Sequence, residues 1–156
     1  DSELADWIIE VGIKNFVPYW ENLPLFSSQN SLPASQRKAH RAQRLTNNSV
    51  GLANSLRGIG TGSQPPVHQK LDKINFPTLM ICGNLDLKFN RIAQEMHNSI
   101  RGSRLQEIRN AGHAPHFEKP DEFNQCVLEF LNSTNAIHNR VSASTVDPLI
   151  SNLWSR

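Results

Sequence analysis

The sequence predicts an α/β fold in which a helical segment is followed by two parallel strands and their helices. Residues 1–66 show helical spacings and no run that reads as a strand. Leu79, Met80, Ile81 and Cys82 form a short apolar run between Pro77 and Gly83, as a buried strand does, and Leu105–Ile108 read as the next strand. Between the two, Phe89, Ile92, Ala93, Met96 and Ile100 recur on one helical face. Strand, helix and strand make a parallel crossover unit.

The elements follow in order. Leu4, Ile8 and Val11 recur at helical spacing beside Trp7, with Asp1 and Ser2 where a cap would sit. Gly12 breaks that pattern, and a second helix is expected from Ile13 to Glu21 despite Pro18, with Phe16, Tyr19 and Trp20 as an aromatic face. Leu23–Phe26 reads as an apolar connector. Ser31–Leu45 is expected to be helical, with Pro33 in its first turn. Thr46-Asn47-Asn48 should cap a further helix whose apolar positions are Val50, Leu52, Ala53 and Leu56. The glycines and prolines of 58–66 interrupt, and Val67–Leu71 reads as a short helical turn. The last helix is expected to start at Pro120-Asp121 and to turn Phe123, Val127, Phe130 and Leu131 inward. After Leu131 the composition shifts to Asn, Ser and Thr, so 132–156 reads as a disordered tail, with Leu149, Ile150, Leu153 and Trp154 as a weak amphipathic turn.

The totals describe an ordinary soluble chain, with 19% charged and 38% hydrophobic residues. A formal net charge of +2 argues for neither nucleic acid nor a membrane surface. No apolar run approaches membrane length and no leader is evident, so the cytoplasm is the expected compartment. Cys82 and Cys126 both lie in apolar patterns and read as core thiols. Nothing in the sequence calls for a cofactor or a metal: a third ligand at metal spacing near Asp86, His113 or Glu118 is not evident.

Chemistry is suggested where the two strands end. Asp86 follows the first strand and Ala111-Gly112-His113 follows the second, at the carboxyl edge where open α/β sheets build their sites. A carboxylate beside an imidazole fixes its tautomer and stabilises the imidazolium. On spacing alone, Asp86 reads first as a helix cap and His113 as an ordinary loop histidine. Arg37, Lys38, Arg41 and Arg44 make the helix before residue 45 strongly basic, either as a solvated face or as a clamp for an anionic substrate.

Cys82-Gly83-Asn84-Leu85-Asp86 and Asn110-Ala111-Gly112-His113-Ala114-Pro115-His116-Phe117-Glu118 resemble the acid strand and histidine loop of the α/β-hydrolase superfamily. That fold orders its triad Ser, Asp or Glu, then His along the chain. Gly-x-Ser-x-Gly, the nucleophile elbow, is absent from these residues. The resemblance therefore implies the C-terminal part of such a fold, with a helical lid over 1–66, core over 67–131 and a tail over 132–156. The series Tyr19–Phe26, Arg44–Asn48, Gly51–Gly58 and Gly60–Pro65 is similar to the 2-succinyl-6-hydroxy-2,4-cyclohexadiene-1-carboxylate synthase family of menaquinone biosynthesis. That resemblance covers residues 1 to about 131 and implies a lyase that eliminates pyruvate from a carboxylated cyclohexene. By matching positions, Asp86 is the orienting acid and His113 the base acting on a serine outside these residues. Trp20 lines the pocket and Arg44 binds a carboxylate of the small-molecule substrate. His116 and Glu118 are expected to support the loop. The residues also leave open an esterase or carbon–carbon hydrolase of the same fold, or a non-catalytic module. They say nothing of the oligomeric state.

Overall fold

The computed structural model describes the backbone of residues 1–144 and the side chains of residues 1–135. Two α/β elements carry the site. Strand β1 (Leu79–Gly83) and strand β2 (Arg104–Ile108) pair in parallel, Leu79 opposite Arg104 and Gly83 opposite Ile108. Helix α4 (Leu87–Ser99) crosses between them and packs on both. The crossover thus forms where the sequence reading puts it. Cys82, Ile100, Ile108 and Ala111 are buried at its centre.

The helical segment precedes it. Helix α1 (Ser2–Glu21) is two arms meeting at Gly12, whose φ of 74° and ψ of 163° are open to a residue without Cβ. The second arm begins with Ile13, whose freed N–H is donated to Ser49 Oγ at 3.1 Å. Pro18 sits inside that arm, where its missing N–H leaves an intrahelical bond unmade. Ala5, Ile8, Phe16 and Val17 form the buried stripe of α1. Helix α2 (Ala34–Leu45) lies against α1, and helix α3 (Ser49–Ile59) packs on it more extensively, burying Ala53. Asn48 caps α3 by accepting the Gly51 N–H at 3.0 Å.

Several expectations are corrected. Asp1 holds the N-cap position of α1 but its side chain makes no cap bond, accepting the Gly62 N–H at 2.6 Å instead. Ser31–Pro33 lies outside α2. The stretch Pro24–Ser31 is a 3₁₀ helix, and Pro33, with extended ψ, precedes the first turn. A second 3₁₀ helix spans His68–Lys73. Val50 is exposed on α3.

Beyond β2, helix α5 (Pro115–Glu118) is one turn, and helix α6 (Pro120–Ser144) closes the described residues. Leu131 is 48% exposed, so it does not turn inward with Phe123, Val127 and Phe130. The helix also does not stop at Leu131. Ser133 and Thr134 hydroxyls donate to the carbonyls of Phe130 and Leu131, so polar side chains that read as tail satisfy themselves on the helix. The weak turn expected at 149–154 lies outside the described residues. Among the described residues, no helix is long and apolar enough to cross a membrane.

Candidate active site

The loops after β1 and β2 are laced together. Asn84 N–H donates to Ile108 O at 3.0 Å, Leu85 N–H to Ala111 O at 2.9 Å, and Asn110 N–H to Asn84 Oδ1 at 2.8 Å. Gly83 is required here, because a Cβ on it would overlap the carbonyl oxygens of Ala111 and Gly112. This lacing brings two side chains 27 residues apart into contact.

His113 Nδ1 lies 2.7 Å from Asp86 Oδ2. A carboxylate only accepts, so Nδ1 carries the proton and Nε2 is left with its lone pair. Asp86 is 8% exposed, and its other oxygen accepts the Phe89 N–H at 3.1 Å as the cap of α4. The cap and the acid are therefore one side chain with two oxygens in two uses. Phe89 stands edge-on to the imidazole with ring centroids 4.6 Å apart, and Phe26 approaches it from the helical segment at 5.8 Å.

Trp20 and Arg44 converge on the same aromatic. Trp20 lies 5.4 Å from Phe26, ring to ring, and the Arg44 guanidinium carbon is 5.9 Å from the Phe26 ring. Both residues border an apolar hollow of about 180 Å³ that Leu4, Ile8, Leu52 and Leu56 also line. Arg44 is not a freely solvated charge. It donates to Glu21 Oε1 and to Gln29 Oε1, each at 3.1 Å, while Arg41 donates to the other oxygen of Glu21 at 3.2 Å. All four residues singled out from the sequence thus surround Phe26, either directly or through His113. Phe26, Gln29 and Glu21 were not singled out. Phe26 could have been suspected from its place in an apolar connector, whereas the two polar partners leave no local signal.

Burial, then Glu107 and Asp86, push the Cys82 thiol up, so the cysteine beside the site is held as a thiol and not as a nucleophilic thiolate. Burial, then the charges of Arg44 and His116, push His40 down, so the histidine of α2 stays neutral beside the arginines. Among the described residues, no three His, Cys, Asp or Glu side chains gather as a metal would require.

A helical segment above a parallel pair, with a carboxylate–imidazole couple at the strand ends, is the arrangement of part of an α/β-hydrolase fold. More particularly, the chain's relatives are 2-succinyl-6-hydroxy-2,4-cyclohexadiene-1-carboxylate synthases. It is 49% identical over 133 residues to the Bacillus subtilis protein that carries this name provisionally, covering 85% of this chain and 48% of that protein. It is 38% identical over 101 residues to the Salmonella newport synthase, 65% of this chain and 37% of the relative. The solved structure of MenH from S. aureus superposes with a TM-score of 0.83 at 39% identity, over 85% of this chain and 50% of that one. A bromoperoxidase from Bacillus anthracis superposes at 0.66 with 20% identity, over 84% of this chain and 48% of that one, which speaks to the fold alone. The chain spans about half the length of the relatives it matches. No protein-family model matches it.

Proposed function

We propose that this chain is the C-terminal half of a lyase that eliminates pyruvate from a carboxylated cyclohexene, forming the cyclohexadiene carboxylate for which its relatives are named. The observation that carries the reading is the Asp86–His113 couple at 2.7 Å, in a chain 49% identical to such a relative. In this reading residues 1–66 are a lid, residues 67–131 complete the core, and the complete protein works in the cytoplasm without a cofactor.

His113 Nε2 takes the proton from a serine in the other half, and Asp86 stabilises the imidazolium. The serine oxygen then removes a ring C–H proton. The electron pair of that C–H bond becomes the new ring double bond as the carbon–oxygen bond to the leaving group breaks; the departing enolate takes the proton from the His113 imidazolium and tautomerises to pyruvate. Arg44 holds a substrate carboxylate and Trp20 walls the ring. Glu21 and Gln29 support this by aiming the guanidinium before substrate arrives. The test is to give the complete protein the cyclohexene substrate and ester substrates side by side. Pyruvate release without ester hydrolysis is expected; ester hydrolysis without pyruvate release would overturn the lyase reading.

Two further outcomes are expected. Arg44→Ala in the complete protein should raise KM about 10- to 100-fold, the loss of one charge-assisted contact, with a smaller change in kcat. Steady-state kinetics of pyruvate release would check it, and an unchanged KM would remove Arg44 from the carboxylate site. The chain on its own should release no pyruvate above background, because the nucleophile and oxyanion donors of this fold lie elsewhere. Activity of the lone chain that His113→Ala abolishes would refute the half-enzyme reading.

A further inference from the structure

We infer that Glu118 is the positioning residue for His113, a buried carboxylate that fixes the backbone on both sides of the base. The inference rests on the reading of His113 given above. Glu118 is 7% exposed and has no cationic partner among the described residues. Its Oε2 accepts the Gly112 N–H at 2.7 Å, and its Oε1 accepts the Ala114 N–H at 3.2 Å. The residues on either side of His113 are therefore tied through their N–H groups to one side chain. Ala114 is also the N-cap of α5, so the carboxylate reaches back over its own turn to the N–H at its head.

Burial makes these bonds matter. An ionised acceptor shielded from water forms stronger hydrogen bonds than one in solvent. Ser28 leaves no room for a side chain at Gly112. A Cβ there would run into Ser28 and come within 3.3 Å of Glu118 Oε1. The loop carrying the base is thus held between Glu118 and the Pro24–Ser31 helix. What Glu118 controls is the placement of the imidazole against Asp86, since Asp86 is fixed independently by its cap on α4.

The test uses the complete protein with Glu118→Gln and Glu118→Ala. A glutamine can accept one of the two N–H groups but turns its NH₂ toward the other, so it should be the milder change. The first readout is the low-field proton resonance of the His113 Nδ1–H donated to Asp86, assigned by its loss in His113→Ala. The second is kcat and KM for pyruvate release. Glu118→Ala should shift or abolish the resonance and lower kcat about 10²-fold, as a misplacement of about 1 Å does, with KM unchanged. Glu118→Gln should lie between it and wild type. A folded variant with an unmoved resonance overturns the proposal, even if kcat falls, because that loss would not pass through the His113–Asp86 bond. Should Glu118→Ala fail to fold, the same criterion applies to Glu118→Gln. Should the wild type release no pyruvate, the lyase reading fails, and the resonance arm alone still supports or overturns the clamp.

Discussion

Replacing His113 by alanine in the complete protein is expected to lower pyruvate release about 10⁴-fold, the scale of losing a general base whose partners act as a unit. Asp86→Asn should come close to it. The asparagine oxygen can still accept the Phe89 N–H, so the cap of α4 survives and the fold is not at stake. Its NH₂ would instead face His113 Nδ1, which must then accept. That puts the ring proton on Nε2, where it cannot take one from a serine. Because both changes disable one proton transfer, the double variant should be scarcely slower than His113→Ala alone. Steady-state assays of the four proteins check this. A His113→Ala variant within about tenfold of wild type would mean that proton abstraction does not run through this imidazole.

Gly83→Ala is expected to have the largest effect on stability, about 3 kcal/mol at the upper end for an overpacked position. The clash is with two backbone carbonyls, Ala111 and Gly112, which cannot rotate away as a side chain would. Relief requires β1 to move from the loop after β2, breaking the bond from Leu85 N–H to Ala111 O. That bond belongs to the lacing that brings Asp86 and His113 together, so activity should fall together with the denaturation midpoint. Equilibrium unfolding in urea of wild type and variant measures it, and a loss below about 1 kcal/mol would show that the loops yield easily. Gly102 offers a control nearby in sequence. Its φ of 74° is strained for alanine, but open space surrounds its Cβ position.

The contrast between legible and illegible parts has physical causes. β1 could be read because it is a short apolar run punctuated by Pro77 and Gly83, and α4 because its apolar residues follow a helical period. Asp86 and His113 could be read because a parallel crossover by itself delivers the ends of both strands to one edge. Gln29 could not, because a 3₁₀ turn has no amphipathic period and its partner lies on another element, and Phe26 was marked only by the apolar connector that holds it. The boundary after Leu131 misled because Asn, Ser and Thr usually compete with helical hydrogen bonding, whereas here the hydroxyls bond back to the preceding turn. Leu131 faces solvent because apolar character does not by itself say which side of a helix is covered.

The Pro24–Ser31 helix has a consequence of its own. Phe26 leans on the imidazole, Ser28 presses against Gly112, and Gln29 holds Arg44, so three near-neighbours in one short turn each grip a different part of the molecule. A tilt of the upper helices would therefore be geared to the reaction centre. It would peel the aromatic off the ring, loosen the turn beneath it and swing the guanidinium in a single stroke, with no separate messenger needed between roof and floor.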